Sequence, residues 1–529
     1  MTEESVEIKK KNEEFLKSPI GISLKYDKKI CKIYFIILIL LFFGVWYETT
    51  KVQKANIISI ENENVIRSVA RINIFSSFLS VERRESIGKM LTSNLNSEKL
   101  VDNINFNFFS IVNESIKEKK DDILSFSFNL IPDEKWEYFT KYVVFLDEGN
   151  CVNVKYTEYM TNEEIFKRLK SLIVDVLIDT HLIDILMKRE TGKIINSKHL
   201  EYMSPKYQNR YIWDSTTLAN RYNVQVIIIR DSLKRKRNNS FERDIEKALT
   251  KFGNKLSDSV KLSITVENLY GINIDNFLET DITGKKYLKI GSKVENLMSV
   301  IDQQLSGSLS IDPQLKLILL ENSGNFVFIN EHGDDENNVI AAGWGSLFSY
   351  TPSITLDNNS EEYANKLKDV TTFLFGSLKT LLGIHSDLLS VYQKTKVPLA
   401  DWEIQKFKLR FYVDKVLSTI YNIKSTHALI EKVENMEISE SVANKMNEAI
   451  YLLKKSLRDF EKTGTLKLDE ISKAAELSEI VVSDPTLVSL LYFPSDQKIG
   501  VYLPIALPAV FPVILSIYSF YDDWKKKDK

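Results

Sequence analysis

Cysteine is nearly absent: only Cys31 and Cys151 occur in 529 residues. Two thiols exclude a disulfide scaffold and a zinc ribbon. Glycine (18) and proline (11) are too scarce for collagen-like or low-complexity sequence. Neither sign of charge is in surplus: 70 basic side chains face 72 acidic ones, a net charge of −2. Nucleic acid is therefore not expected as a partner, because phosphate contacts draw on a basic excess. The five histidines (His181, His199, His332, His385 and His427) form no His-Glu-x-x-His and no close pair. Gly-x-Ser-x-Gly, a P-loop and a dinucleotide fingerprint are missing too, so no cofactor is implied. No repeat of fixed period is visible. What remains is 44% apolar and 27% charged, the balance of a folded chain. At roughly 150 residues per domain the length suggests about three units.

The mean hydropathy of −0.16 looks soluble, but that average hides two apolar segments. The first runs from Ile30 to Tyr47. Its 18 residues at 1.5 Å each give about 27 Å, the thickness of an endoplasmic reticulum bilayer. Lys32 can snorkel at its start, and Trp46 and Tyr47 close it like an interfacial belt. A cleaved signal peptide is the alternative; the long polar lead and the bulky aromatics disfavour it. The second segment, Ile499 to Tyr521, carries no charge over 23 residues. Its Pro504, Pro508 and Pro512 recur every four residues and share one helix face. Each lacks an N–H, so carbonyls need partners from neighbours or water. The face then belongs either to a kinked anchor or to a surface packed on other membrane helices.

Charge sets the expected orientation. Lys25, Lys28, Lys29 and Lys32 flank the first segment on its N-terminal side, and Lys525, Lys526, Lys527 and Lys529 follow the second. The positive-inside rule then puts both termini in the cytosol and the residues between the spans in a lumen. Lys526 and Lys527 fit a dilysine retrieval signal of endoplasmic reticulum membrane proteins; stop-transfer lysines are the alternative. Three Asn-x-Ser sequons, at Asn113, Asn238 and Asn358, fall in the expected lumenal part and are N-glycosylation candidates.

The middle of the chain mixes strands and helices. Asn223–Asp231, Val260–Glu267, Leu315–Leu320 and Phe326–Asn330 read as strands. Ser125–Leu130 alternates Phe126, Phe128 and Leu130 on one face. Glu163–Arg189 reads as one helix on the spacing of Ile165, Leu169, Leu172, Val176, Ile183 and Leu186. Phe241–Leu256 is a second helix. After residue 357 the pattern turns helical: Ser360 can cap one helix and Asp401 the next, with Leu409, Val413, Val416 and Ile420 on one face. Two more follow over Val442–Phe460 and Lys467–Val482, and short links favour antiparallel packing.

Candidate chemistry is thin. Cys151 is the one thiol between the apolar segments, either a buried structural residue or a nucleophile. His332 lies in Glu331-His-Gly-Asp334-Asp335-Glu336, which could hold a divalent cation through oxygen ligands or be a polar loop. Lys234–Arg237 is a basic run, either a solvated loop or a lipid-headgroup contact. These residues assemble no convincing active site.

The ends of the chain carry a resemblance. Tyr492-Phe-Pro-Ser-Asp-Gln-Lys498, then Val501-Tyr-Leu-Pro504 and the proline-spaced segment, resembles the C-terminal signature of the PIG-S family. Asp484-Pro-Thr-Leu487 resembles that family's Asp-Pro-x-Leu, Trp402-Glu403 its Trp-Glu, and Trp344-Gly345 the Trp-Gly ending its α/β part. Trp46-Tyr-Glu-Thr49-Thr50 is similar to its Trp-Trp-x-Thr-Thr, although Gln53-Lys54-Ala55 departs from the Tyr-Arg-Ala that follows. PIG-S is a non-catalytic subunit of the glycosylphosphatidylinositol (GPI) transamidase. The resemblance implies an endoplasmic reticulum membrane protein with no catalytic residue and no metal of its own. It implies partners: a caspase-like catalytic subunit and PIG-T-like, PIG-U-like and metallopeptidase-like subunits. Contact with the proprotein or the GPI lipid is left open.

The expected architecture is an α+β lumenal region, with mixed sheet and helices followed by antiparallel helices, between two transmembrane helices. Its parts are a cytosolic tail (1–29), a span (30–47), an α/β region (48–356), a helical region (357–498), a span (499–521) and a tail (522–529). Two other readings stay open: a membrane-tethered lumenal enzyme using Cys151 or the acidic loop, and a lumenal tether or chaperone unrelated to GPI.

Overall fold

β-Branched and aromatic runs form the strands of two large sheets, each parallel at its centre. They are seen in a computed structural model that describes residues 55–60, 65–112, 123–133, 143–145, 151–190, 218–230, 239–282, 284–305, 311–321, 326–330, 332–341, 343–350, 361–384, 392–393, 397–433, 436 and 438–487, with scattered positions in 11–44 and 500–525. The chain divides into two compact units: residues 60–423 with 448–479, and residues 1–59 with 424–447 and 480–529.

In the larger unit the first sheet contains β1 (Ile66–Phe75), β2 (Ile104–Val112), β3 (Ser125–Pro132), β4 (Val143–Phe145) and β5 (Cys151–Tyr156). With Tyr392–Gln393 at one edge, its order is Tyr392–Gln393, β4, β5, β3, β1, β2. β4 runs antiparallel to β5, and Tyr392–Gln393 runs parallel to β4. Between β1 and β2 lies α1 (Val81–Ser97), started by Ser80, whose side chain accepts from the Arg83 N–H. Its Ile87, Leu91 and Leu95 are buried at four-residue steps.

The second sheet contains β6 (Arg221–Arg230), β7 (Lys261–Tyr270), β10 (Gln314–Glu321), β13 (Asn338–Ala341) and β14 (Gly345–Tyr350), in the order β13-β14-β10-β6-β7. One face carries α4 (Asn239–Leu256) and α6 (Glu361–Leu381), joined by the stacked rings of Phe252 and Phe375. On the other, Ile227, Ile229, Ile318, Leu320 and Leu347 pack with α5 (Ser292–Leu305). A small sheet joins that layer, made of β8 (Glu279–Thr280), β9 (Lys286–Lys289), β11 (Val327–Ile329) and β12 (Asp335–Glu336).

The two large sheets repeat one topology. In each, a first strand is followed by a helix and a parallel neighbour on one side. A third strand returns to the other side, and a hairpin then adds one antiparallel strand. Thus β4-β5-β3-β1-β2 corresponds to β13-β14-β10-β6-β7. The mixed sheets and helices expected from the sequence are present, and the strand expectations fall on β3, β6, β7, β10 and β11.

Two local expectations need correction. Glu163–Arg189 is not one helix. It is α2 (Asn162–Ser171), a π-helical stretch Leu172–Ile178, and α3 (Thr180–Glu190). Asp179 stands between them in the left-handed region at φ 58° and ends the first run. Its side chain accepts from the Leu182 N–H at 3.2 Å and starts the next. Apolar residues continue to the break, with Ile173, Val176 and Leu177 buried in the π-helical stretch. Nor is Asp401 the cap of its helix: it is the first residue of α7 (Asp401–Lys432). The Ala400 N–H before it donates to the Glu403 carboxylate at 3.1 Å.

α7 is followed by α8 (Glu440–Thr463) and α9 (Leu468–Val482). Early in α7, Tyr412 meets Phe460 late in α8, with ring centroids 4.7 Å apart. Late in α8, Lys455 meets Glu470 early in α9 at 2.8 Å. Both pairs are therefore antiparallel. In the smaller unit, the Ala55 N–H donates to the Ile438 carbonyl, and the Asn447 side chain bonds the backbone of Asn56 and Ile58. The terminal segments are helical at nearly all their described positions, among them Ile33, Ile37, Leu40, Leu503, Leu507 and Ile514. Among the described residues no helix is long and apolar enough to cross a membrane.

Candidate functional site

Alternation on the first sheet separates an apolar face from a polar one. Ile72, Ile74, Phe126, Phe128, Leu130, Val152 and Val154 fill the apolar face and are buried. The opposite face carries Arg71 and Asn73 from β1, Ser125, Ser127 and Asn129 from β3, and Cys151 and Asn153 from β5. Strand register sets Asn73, Ser127 and Cys151 in one row and Asn129 beside Asn153 in another. The Asn73 amide donates to Ser127 Oγ at 3.2 Å, and the Asn129 amide to Asn153 Oδ1 at 3.0 Å. Parallel strands are ordinarily apolar on both faces, so this one is built for polar contact. Toward the edge strand β2 it opens: Asn105, Asn107, Phe109 and Ile111 are exposed. The exposed part of the arrangement offers the Asn105 and Asn107 amides and the Phe109 ring to a partner surface.

The crevice at the carboxyl ends of parallel strands, where neighbouring connections part, is where open α/β sheets hold ligands. In the first sheet it lies between β1 and β3. Ser76 spans it, donating to the Leu130 carbonyl at 2.8 Å and accepting from the N–H groups of Phe78 and Leu79. Burial, the largest influence, pushes the neighbouring Tyr156 phenol up. In the second sheet the crevice lies between β6 and β10. Arg230 bridges it, 3.4 Å from Glu321 and 3.3 Å from Glu242, and the Asn268 amide donates to Glu242 at 2.6 Å. Both crevices are crossed by the protein's own hydrogen bonds or ion pairs.

α7 links the layers through charges. Lys406 pairs with Asp179 at 2.7 Å, and Lys408 with Asp258 at 2.7 Å. Arg410 donates to the Gly383 carbonyl at 2.8 Å, and Asp414 accepts from the Leu218 N–H at 3.0 Å. Gly383 sits at φ +67°, and a Cβ there would lie 1.8 Å from the Arg410 guanidinium, so the close approach requires glycine. Sequence spacing missed this cluster, because its charges look like a solvated face until their distant partners are known.

The residues matching the family motifs have packing roles. The Trp344 indole N–H donates to Asp302 at 2.8 Å, Lys316 pairs with the same carboxylate at 2.6 Å, and its ammonium lies 5.6 Å from the Trp344 ring centre. At Gly345 a Cβ would stand 2.0 Å from the Lys316 carbonyl oxygen. Trp402 is buried against Phe145, with ring centroids 4.5 Å apart, and Glu403 pairs with Lys379 at 2.6 Å. In Asp484–Leu487, Asp484 accepts from the Thr486 hydroxyl at 2.6 Å and its N–H at 2.9 Å. Those bonds hold the Asp484 carboxyl below its usual range.

Other sequence candidates fall as follows. Cys151 is buried within β5, and His181 lies exposed on α3. In the acidic loop, Asn330 Oδ1 accepts from the backbone N–H groups of His332 and Asp334, and Asp335 pairs with Lys285. Glu331 lies outside the described residues. Among the described residues no group of three or more His, Cys, Asp or Glu is placed to hold a metal. Pro504, Pro508 and Pro512 are helical and exposed. Asn113, Asn238, Asn358, Lys526, Lys527, the run Lys234–Arg237, Tyr492–Lys498 and Trp46–Thr50 lie outside the described residues.

Fold and site together define a class: a duplicated α/β body, knit by a buried charged helix, that presents a polar sheet face. A sequence profile of the family described as phosphatidylinositol-glycan biosynthesis class S protein, PIG-S, matches residues 33–527, and the chain belongs to that family. It is similar to the GPI-anchor transamidase component PIGS of Rattus norvegicus, 23% identical over 312 residues, covering 54% of this chain and 55% of that protein. The Homo sapiens protein of the same name is 24% identical over 310 residues, covering 54% and 56%. A GPI transamidase component PIG-S homolog of Schizosaccharomyces pombe is 21% identical over 303 residues, covering 54% and 51%. The matched region thus spans about half the length of these relatives.

Proposed function

We propose that this chain is a non-catalytic subunit of the endoplasmic reticulum GPI transamidase, supporting attachment of GPI anchors to proprotein C-termini. The family match over residues 33–527 carries the reading. The geometry agrees with it: the motif residues Trp344, Gly345, Trp402 and Glu403 build the body and leave the polar sheet face for docking. The chemistry then belongs to a caspase-like partner. Further partners are PIG-T-like, PIG-U-like and metallopeptidase-like subunits.

In this reading residues 30–47 and 499–521 are membrane spans, with the proline face of the second packed on partner helices. The α/β region (48–356) and the helical region (357–498) are lumenal, with Asn113, Asn238 and Asn358 available for glycosylation. Purification of the tagged chain in mild detergent tests the role. Co-elution with a caspase-like chain is expected; recovery as a monomer would refute it. Arg substituted at Asn107 and Phe109 should weaken the co-elution without unfolding the chain, since both are exposed.

A further inference from the structure

Among the described residues β13 is the edge strand of the second sheet, and its outer edge has a readable hydrogen-bond pattern. The bond from the Ser349 N–H to the Asn337 carbonyl, at 3.2 Å, marks these opposed residues as a hydrogen-bonded pair. Antiparallel pairs alternate. In the observed register Val339 and Ala341 therefore bond β14, while the N–H and C=O groups of Asn338 and Ile340 point away from it. Such an edge is a template for another strand.

Beside this edge lies a groove of about 880 Å³ between β13 and α6. Its floor is the stacked pair Phe348 and Phe373, with centroids 4.5 Å apart. Gly376 of α6 lines the wall, and a Cβ built there meets nothing within 4 Å. Ser377, the next residue, lines the groove while only 1% exposed, and its Oγ has no hydrogen-bond partner. Ser346, opposite Ile340 and on the same sheet face, is also fully buried with an unpartnered Oγ. Buried hydroxyls are ordinarily satisfied, so Ser377, the one of these two that lines the groove, points to a polar guest.

We propose that an extended segment of the proprotein substrate adds to β13 as a further strand and lies in this groove under α6. The inference rests on the proposed role in GPI attachment. The four residues of β13 give an edge of about 13 Å, far too short for the roughly 1,200 Å² of a stable subunit interface. It suits a guest that enters and leaves. The groove is lined by Glu336 and Asp369 against the single Lys368, and Asp335 is already paired with Lys285. The preferred segment is therefore neutral or basic, with a small side chain against Gly376.

The test places a photo-crosslinking benzoylphenylalanine at Asn338 of the full chain in microsomes translating a radiolabelled proprotein. A control carries it at the fully exposed Ile311, outside the groove. An adduct with the proprotein is expected from position 338 and not from 311. Gly376→Leu fills the groove on an exposed helix site and should cut the adduct at least fivefold. Ile340→Pro removes an outward N–H without touching the β14 pairs and should do the same. An adduct insensitive to both variants, no proprotein adduct at 338, or an adduct there with a resident subunit would each overturn the inference. Co-purification of the unmodified chain is scored separately. Its loss would sink the proposed function, whereas its persistence without the adduct sinks only the groove.

Discussion

Lys406→Met probes the charged helix that knits the larger unit. Lys406 Nζ lies 2.7 Å from Asp179 Oδ2, and the two side chains are 8% and 3% exposed. Removing one partner of such a pair strands the other charge away from water, at a cost of about 3–5 kcal/mol. Methionine keeps most of the lysine volume, so the loss isolates the charge. Asp179→Asn is the matched change on the other side. Asparagine tolerates the left-handed backbone at φ 58°, and its amide oxygen can still accept from the Leu182 N–H. The double variant therefore removes both charges and keeps the shape, and neutral replacement of a buried pair is often nearly free. The single variant should lose about 3–5 kcal/mol and the double at most about 2, so the second change restores at least about 1 kcal/mol.

Urea unfolding of the full chain in mild detergent reads this by tryptophan fluorescence, to which Trp402, on the same helix against Phe145, contributes. At about 2 cal/mol/K of unfolding entropy per residue, ~4 kcal/mol on a unit of nearly four hundred residues lowers Tm by about 5 °C. A single variant that costs under about 1 kcal/mol, or a double no better than the single, would refute the reasoning.

Three other perturbations follow from the same geometry. Gly345→Ala puts a Cβ 2.0 Å from the Lys316 carbonyl; β14 must move off β10, at about 3 kcal/mol or more, and an unchanged melting temperature would contradict this. Tyr412 is held above its ordinary pKa, chiefly by burial, so its contribution is present below pH 10 and fades above it as the unfolded phenol ionises. Tyr412→Phe should cost about 1 kcal/mol near pH 8 through the lost Ser456 bond, and melting curves should then fall less steeply above pH 10; an unchanged slope would count against it. Asp484 is held low chiefly by the Thr486 hydroxyl, so its contribution is present above the ordinary carboxylate range and is lost as pH falls through and below it. Thr486→Val should flatten the stability slope between pH 5 and 3, and an unaltered slope would remove that role.

Much of the fold could be read along the chain because the pattern was local. Phe126, Phe128 and Leu130 alternate, and β3 buries all three. The apolar run of β6 is a central strand covered on both faces. What escaped depended on partners far away. Leu409, Val413, Val416 and Ile420 suggest a one-sided α7, yet Lys406, Lys408, Arg410, Asp414 and Lys415 are buried as well. The counterparts of Lys406, Lys408, Arg410 and Asp414 lie more than twenty residues away. The break at Asp179 escaped because buried apolar residues continue on both sides of it, Val176, Leu177 and Ile178 before and Leu182 and Ile183 after. The duplicated topology escaped because parallel core strands require only apolar, β-branched side chains, and crossovers can differ freely. The motif residues were legible as a resemblance, but their roles were not: Trp344 needs Asp302 and Lys316 to explain it.

Duplication bears on function through what each copy does with its crevice. One copy spans the space at its strand ends with Ser76 and the other with Arg230 between two carboxylates. A bound substrate there would have to displace those bonds and strand buried polar groups, which costs more than an open crevice would. Edges and faces carry no such penalty. The outward groups of Asn338 and Ile340, and the Asn and Phe side chains of β2, can take on a partner without breaking a bond the fold relies on. A body built this way is suited to holding other chains in register, and its binding surfaces are to be sought along the rims of its two sheets.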